Sequence, residues 1–151
     1  NEDTGATILE KYNAAYYPLI KRVLNDIEHN SLKTKKQNHN EATCFGKRTP
    51  EDGLIDWNSS KKDIYNWIRA QSYPYPGAFT YIEEKKITID KVEILEDDND
   101  IEAKHGQIIQ DSPDVIVKVK DGLIRVSQIR EDKNILKKNL IFSNNDDKST
   151  N

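Results

Sequence analysis

The sequence predicts an α+β fold: a leading helix and a linker, then a second helix packed on a small antiparallel open β-barrel. Three observations carry this reading. Apolar residues recur at three- and four-residue spacing over 7–28, and again in a shorter stretch ending near residue 71. From residue 78 the period changes to two, as in Ile87/Ile89, Val115/Val117/Val119 and Ile124/Val126. Several short strands joined by tight turns and preceded by one helix favour a small barrel or sandwich packed on that helix.

The first helix is read over 7–28. Ile8, Tyr12, Ala15, Tyr16, Leu19, Ile20, Val23 and Ile27 form its apolar stripe, and Lys11, Asn13, Lys21, Arg22, Asn25 and Asp26 take most of the other face. Pro18 lies inside it, removing a backbone donor and pressing on the Ala14 carbonyl, so a kink is expected. Just ahead stands Asp3-Thr4-Gly5-Ala6, the tetrad that carries the catalytic aspartate of retroviral-type aspartic proteases. There it follows a hydrophobic strand, whereas only Asn1 and Glu2 precede it here and a helical stripe follows. Asp3 therefore reads as a capping acid, offering oxygen to orphan N–H groups and negative charge to the helix dipole. His29-Asn30-Ser31 ends the helix.

The interval 31–48 is polar and basic, with Lys33, Lys35, Lys36, Lys47 and Arg48 against the single acid Glu41. It reads as a linker, with one strand in the apolar patch from Ala42 to Phe45. Asp52-Gly53 makes a turn, and Ile55 with Trp57 anchors the linker on the barrel. The second helix begins in "WNSSKKDIYNWIRA", with Asn58 or Ser59 as its cap and Ser60 and Asp63 at capping-box spacing. Ile64, Trp67, Ile68 and Gln71 face one way, and "SYPYPGAF" stops the helix. Strands are expected at 78–82, 85–95, 106–110, 115–120 and 123–130. Lys120-Asp121-Gly122-Leu123 is the strongest hairpin signal, Asp-Gly suiting a type I′ turn.

Composition narrows the function classes. A net charge of −3 and pI near 5.7 argue against a chain-wide nucleic-acid footprint. One cysteine, Cys44, rules out an intrachain disulfide framework and points to a reducing, cytoplasmic compartment. No apolar run approaches membrane-spanning length. The sequence holds no methionine, which suggests a piece excised or processed from a longer product.

Candidate chemistry is sparse. His29, His39 and His105 lie among polar residues with no partner at ligand spacing, and no metal site is expected. Asp98, Asp100 and Glu102 have the alternate spacing of a calcium loop's first ligands, but the glycine and the bidentate glutamate are absent, so the run reads as a solvated loop. Cys44 has Lys47 and Arg48 nearby but lies in an apolar patch and reads as a packing residue. No Gly-rich phosphate loop, Ser-His-Asp set or nucleophile elbow is present.

The block over 40–81 carries a resemblance. "PEDGLIDW", "IYNWIRA" and "PYPGAFTY" stand in an order and spacing similar to the junction region of the folate-dependent formyltransferases, the family of methionyl-tRNA and sugar-nucleotide formyltransferases. "NEATCFGKRTPEDG" most resembles the branch that N-formylates UDP-4-amino-4-deoxy-L-arabinose. The resemblance implies that 1–40 is the last helix of an absent N-terminal subdomain, 41–58 the linker, 59–142 the OB-like C-terminal subdomain and 143–151 a disordered tail. It also implies that 10-formyltetrahydrofolate and the catalytic Asn, His and Asp belong to that upstream subdomain. The resemblance implies that the first two form an Asn-x-His motif, and none is present here, since Ile27, Gln37 and Ala103 stand two residues before the three histidines. No catalytic residue is therefore expected in this chain.

By the same resemblance Phe45, Lys47 and Arg48 lie nearest the acceptor, where lysine and arginine would meet a nucleotide-sugar phosphate. Tyr75 would stack on a base or pack. The expected partners are a nucleotide-sugar substrate, reached through the parent enzyme, and the upstream catalytic subdomain. Two alternatives stand beside this. One is the C-terminal domain of a methionyl-tRNA formyltransferase, disfavoured by an acidic loop amid the lysines. The other is a stand-alone binding or dimerisation module without chemistry.

Overall fold

The structure, a computed structural model, describes residues 2–96 and 101–143. The calcium-like acidic run and the tail beyond Ser143 lie largely outside the described residues. Helix α1 spans Gly5–Glu28, two residues longer at its start than the apolar stripe implied. The extension follows from its cap. Thr4, not Asp3, is the N-cap: Thr4 and Thr7 exchange side-chain and backbone hydrogen bonds in a capping box. Asp3 stands one residue outside, accepting from the Thr7 hydroxyl at 3.0 Å and from the Lys11 ammonium at 2.6 Å. The helix runs on through Pro18. It closes in a Schellman motif: Asn30 turns left-handed at φ 52°, and Ser31 N donates to Asp26 O at 2.8 Å.

No residue of α1 is buried. The linker that follows is exposed from end to end, extended apart from a single 3₁₀ turn at His39–Glu41. The strand expected in Ala42–Phe45 does not form. Among the described residues no strand pairs with it, and apolar character alone does not satisfy a strand's backbone groups.

The next turn begins at Thr49. Asp52 accepts from the Thr49 N–H at 2.6 Å, bracketing a 3₁₀ turn over Pro50–Gly53. Helix α2 covers Lys61–Gln71. Its N-cap is Ser60, reciprocated by Asp63, rather than Asn58 or Ser59, which are engaged by His105 and Asp56 instead. A second carboxylate reaches this end from the barrel, as Asp121 accepts from the Lys61 N–H at 2.6 Å.

Five strands follow: β1 Ala78–Ile82, β2 Lys85–Ile94, β3 Ile108–Gln110, β4 Val115–Val119 and β5 Gly122–Ile129. They form one antiparallel sheet in the order β1-β2-β5-β4-β3. The period-two residues point inward, where Ile87, Ile89, Val117, Val119 and Ile124 have no exposed surface and meet Ile64 and Ile68 of α2. The sheet curls because a segment after β5 bridges both of its edges. Phe142 N donates to Gly106 O at 2.9 Å on the β3 side, while Ser143 and Tyr81 exchange two bonds on the β1 side. The paired chain thus includes Ser143.

The hairpin chemistry differs from expectation. The residues between β4 and β5 are Lys120 and Asp121, and neither has positive φ; Gly122, at φ 146°, opens β5. The two left-handed central residues of a type I′ turn occur instead at Glu83 (φ 52°) and Glu84 (φ 77°), between β1 and β2.

Candidate functional site

The chain between the free linker and α2 is where basic, aromatic and apolar groups converge. Gly53 is held so close to the barrel that a Cβ there would lie 2.5 Å from the Gly77 carbonyl oxygen. Ile55 N donates to Phe79 O at 2.8 Å, which extends this anchor along β1. Trp57 completes it: its indole N–H donates to the Thr80 hydroxyl at 2.9 Å, and its ring stacks on Phe142 at 4.7 Å. The end of the linker is therefore fixed to the barrel at three successive points, as the Ile55 and Trp57 reading anticipated.

Directly before this anchor, the Arg48 guanidinium lies over the Trp67 ring, 4.8 Å from its centroid. Trp67 is itself oriented by an indole N–H bond to Gly53 O at 3.4 Å. Beside the pair runs a groove of about 310 Å³, lined by Leu54, Ile55, Ile64 and Trp67, with Asp56, Ser59 and Asp63 completing its wall. It is an apolar slot with an acidic rim.

The four residues singled out from sequence do not meet in one place. Phe45 is 90 % exposed on the free linker, and Lys47 is exposed beside it. Arg48 is the only one of the four seated on Trp67. Tyr75 sits on another flank of α2, at the joint with α1. There its ring covers Gly5 so closely that a Cβ on Gly5 would come within 2.5 Å of Cε2. Tyr75 shares a cavity with Asp3, Ile8, Asn66 and Arg69, none of which lines the Trp67 groove.

The joint between the helices is polar. Arg69 Nη1 donates to the Asp3 carbonyl, and the Tyr65 hydroxyl donates to Glu2 at 2.9 Å. That hydrogen bond to Glu2 raises the Tyr65 pKa above the ordinary phenol value. Lys11, followed by Thr7, hydrogen-bonds the Asp3 carboxylate and lowers its pKa. Hydrogen bonding from the Thr49 side chain lowers that of Glu51 near the anchor.

The histidines occupy three separate environments. His29 Nδ1 lies 2.8 Å from Asn25 O, His105 Nδ1 lies 3.0 Å from Asn58 Oδ1, and His39 sits in the exposed 3₁₀ turn. Among the described residues none is paired with a carboxylate that would orient it as a base. What the region offers is cations at a linker end, an indole ledge and an apolar slot. Trp67, on the helix face it shares with Ile64 and Ile68 in the sequence, is partly buried against the core, and the reading from sequence did not foresee that it also serves as that ledge. No local signal identifies it, because three-residue spacing puts Trp67 on the same face as Ile64 and its partner Arg48 is distant in sequence.

A family model described as "Formyl transferase, C-terminal domain" matches residues 47–145. Crystal structures of variants of HypX from Aquifex aeolicus share the fold. One superposes with a TM-score of 0.61 at 19 % identity, covering 87 % of this chain and 24 % of that chain. A second gives 0.60 at 18 % identity, covering 87 % and 23 %. A third gives 0.52 at 21 % identity, covering 74 % and 19 %. This chain thus spans about a quarter or less of the length of those structures. Among the described residues no helix is long and apolar enough to cross a membrane.

Proposed function

The chain belongs to the formyl transferase C-terminal domain family, and from that membership we propose that it is the C-terminal part of an enzyme that N-formylates a nucleotide-linked amino sugar, with 10-formyltetrahydrofolate as donor. The observation that carries the reading is the linker end: Arg48, held on Trp67 just ahead of the Thr49–Trp57 anchor, with Lys47 exposed on the residue before it. Arginine and lysine so placed suit the phosphates of a nucleotide sugar, with Arg48 offering a planar bidentate fork. Phe45, two residues earlier, supplies an apolar face for the acceptor.

Formyl transfer itself needs a base that keeps the acceptor amine neutral and donors for the tetrahedral oxyanion. These residues supply neither, and the groove beside Trp67 does not suit a folate. Its rim carboxylates, Asp56 and Asp63, would repel the glutamate tail. The donor and the chemistry are accordingly assigned to an upstream subdomain. The apolar stripe of α1 is the surface on which that subdomain would rest. Ile8, Tyr12, Leu19, Ile20 and Ile27 are each about half exposed, an apolar face of the kind that marks an interface. In this reading 1–40 belongs with the upstream subdomain, 41–58 crosses the cleft, and 59–142 is the barrel platform.

The test is to isolate the native polypeptide from its source, sequence what precedes Asn1 and assay it with labelled 10-formyltetrahydrofolate. The proposal expects an upstream Asn-x-His peptide and formyl transfer to a UDP- or dTDP-linked amino sugar. Transfer to methionyl-tRNA in place of the sugar would refute the substrate assignment. A native chain of 17.4 kDa without transfer would refute the enzyme reading altogether.

A further inference from the structure

We propose that Phe45 is a strap that closes on the Trp67 groove, so that the linker has a docked position besides the extended one. Three observations place the occupant and its receptor within reach of each other. First, Arg48 pins the linker to the groove's own wall through its stack on Trp67. Phe45 is three residues away, a tether of at most about 11 Å. Second, the intervening Gly46 has nothing within 4 Å of its Cβ direction, and glycine gives the chain the freedom to fold back there. Third, the chemistry is complementary. The slot has an apolar floor of Leu54, Ile55 and Ile64, and Phe45 is an aromatic side chain 90 % exposed to water. Its rim carries the carboxylates of Asp56 and Asp63, and Lys47 makes no ion pair among the described residues.

Docking would place Phe45 on the floor and Lys47 at the rim. It would also withdraw Lys47 from any phosphate-binding role, so an anionic acceptor and the closed strap compete for the same cation. That consequence rests on the proposed acceptor chemistry; the closure itself does not.

Cys44, the chain's single cysteine, adjoins Phe45 and allows a direct test on this chain without substrate. A nitroxide on Cys44 is combined with methyl-labelled Leu, Ile and Val. The expected result is selective broadening of the Leu54 and Ile64 methyl signals, with nuclear Overhauser contacts from the Phe45 ring to the same methyls. Phe45→Ala should remove those contacts and at least halve the broadening, and Lys47→Glu should weaken it with Phe45 intact. Both positions are exposed, so neither variant threatens the fold. If the broadening of Leu54 and Ile64 is unchanged by Phe45→Ala, the strap does not close and the proposal fails. That failure would leave the acceptor reading standing, because the formyl-transfer assay is independent of it. UDP added to the labelled chain should reverse the broadening if Lys47 is shared. If broadening persists at saturating UDP, the competition is overturned.

Discussion

Removing the Thr80 hydroxyl should loosen the joint that connects the linker to the closure of the barrel. Thr80 has no exposed surface, and Trp57 is nearly as buried. The Thr80 oxygen accepts from the Trp57 indole at 2.9 Å and donates to Ser143 O at 3.3 Å. Ser143 O keeps a partner without it, because Tyr81 N also donates there at 3.1 Å. Thr80→Val therefore orphans chiefly one group, the buried indole N–H, at a cost of about 1–3 kcal/mol. Trp57→Phe removes the donor together with part of the stack on Phe142. We expect roughly 2–3 kcal/mol, a lost hydrogen bond plus an incompletely filled cavity. In the double variant no indole is left to orphan, so the two costs should fall short of additivity by about 1–2 kcal/mol. Urea unfolding of the four proteins gives the cycle. Hydrogen exchange at Ser143 and Tyr81 should accelerate in both single variants, because their mutual pair closes the sheet beside this joint. A coupling energy within about 0.3 kcal/mol of zero would mean that the indole bond holds nothing.

Gly53→Ala should destabilise the barrel by about 1–3 kcal/mol, since its Cβ would meet a backbone carbonyl that cannot swing aside. An unchanged urea midpoint would show that the Pro50–Gly53 turn is not seated on the sheet. Leu19→Lys on α1 should alter unfolding by less than about 0.5 kcal/mol while reducing self-association in light scattering, because the side chain is exposed. A large loss of stability would reveal a packing role for the stripe within this chain. Acid should unfasten the first turn of α1. The Asp3 pKa is lowered from 3.8, chiefly by the Lys11 hydrogen bond and then by Thr7, so its contribution is present at neutral pH and lost as pH falls through the depressed value. Amide shifts of Thr7 should titrate below the ordinary aspartate range in the parent chain and stay flat in Asp3→Asn.

The strands were the most legible part of the sequence, because one buried face imposes period two and fixes which residues oppose each other. The turns were less so, for the same reason. Ile82 and Ile87 must both point inward across the first hairpin, and their register leaves only Glu83 and Glu84 to make the turn. Neither residue favours positive φ, yet both adopt it, so tertiary pairing overrides local preference. At the second hairpin the Asp-Gly signal was real but displaced by one residue. Asp121 then sits at the turn's second position with its carboxylate on the Lys61 N–H, a contact 60 residues away in sequence that no local rule contains.

The same distinction governs the candidate site. Arg48 and Trp67 are 19 positions apart, and nothing periodic links them; their meeting depends on where the Gly53 turn seats against Gly77. Lys47 and Phe45 looked equivalent to Arg48 as linker residues, yet only Arg48 falls close enough to the anchor to be held. The two helices make the complementary point. Both carry an apolar stripe, but α2 buries Ile64 and Ile68 whereas α1 buries nothing. Periodicity announces that a face wants cover without saying what covers it. For α2 the cover is this chain's own sheet. For α1, fixed at its N-terminal end by Arg69 and Tyr65 and exposed along the rest, the proposed cover is the catalytic subdomain. An isolated upstream subdomain bearing the Asn-x-His should therefore bind this chain in trans, and Ile20→Glu with Ile27→Glu, which put charge into the exposed stripe, should abolish the binding while the barrel stays folded.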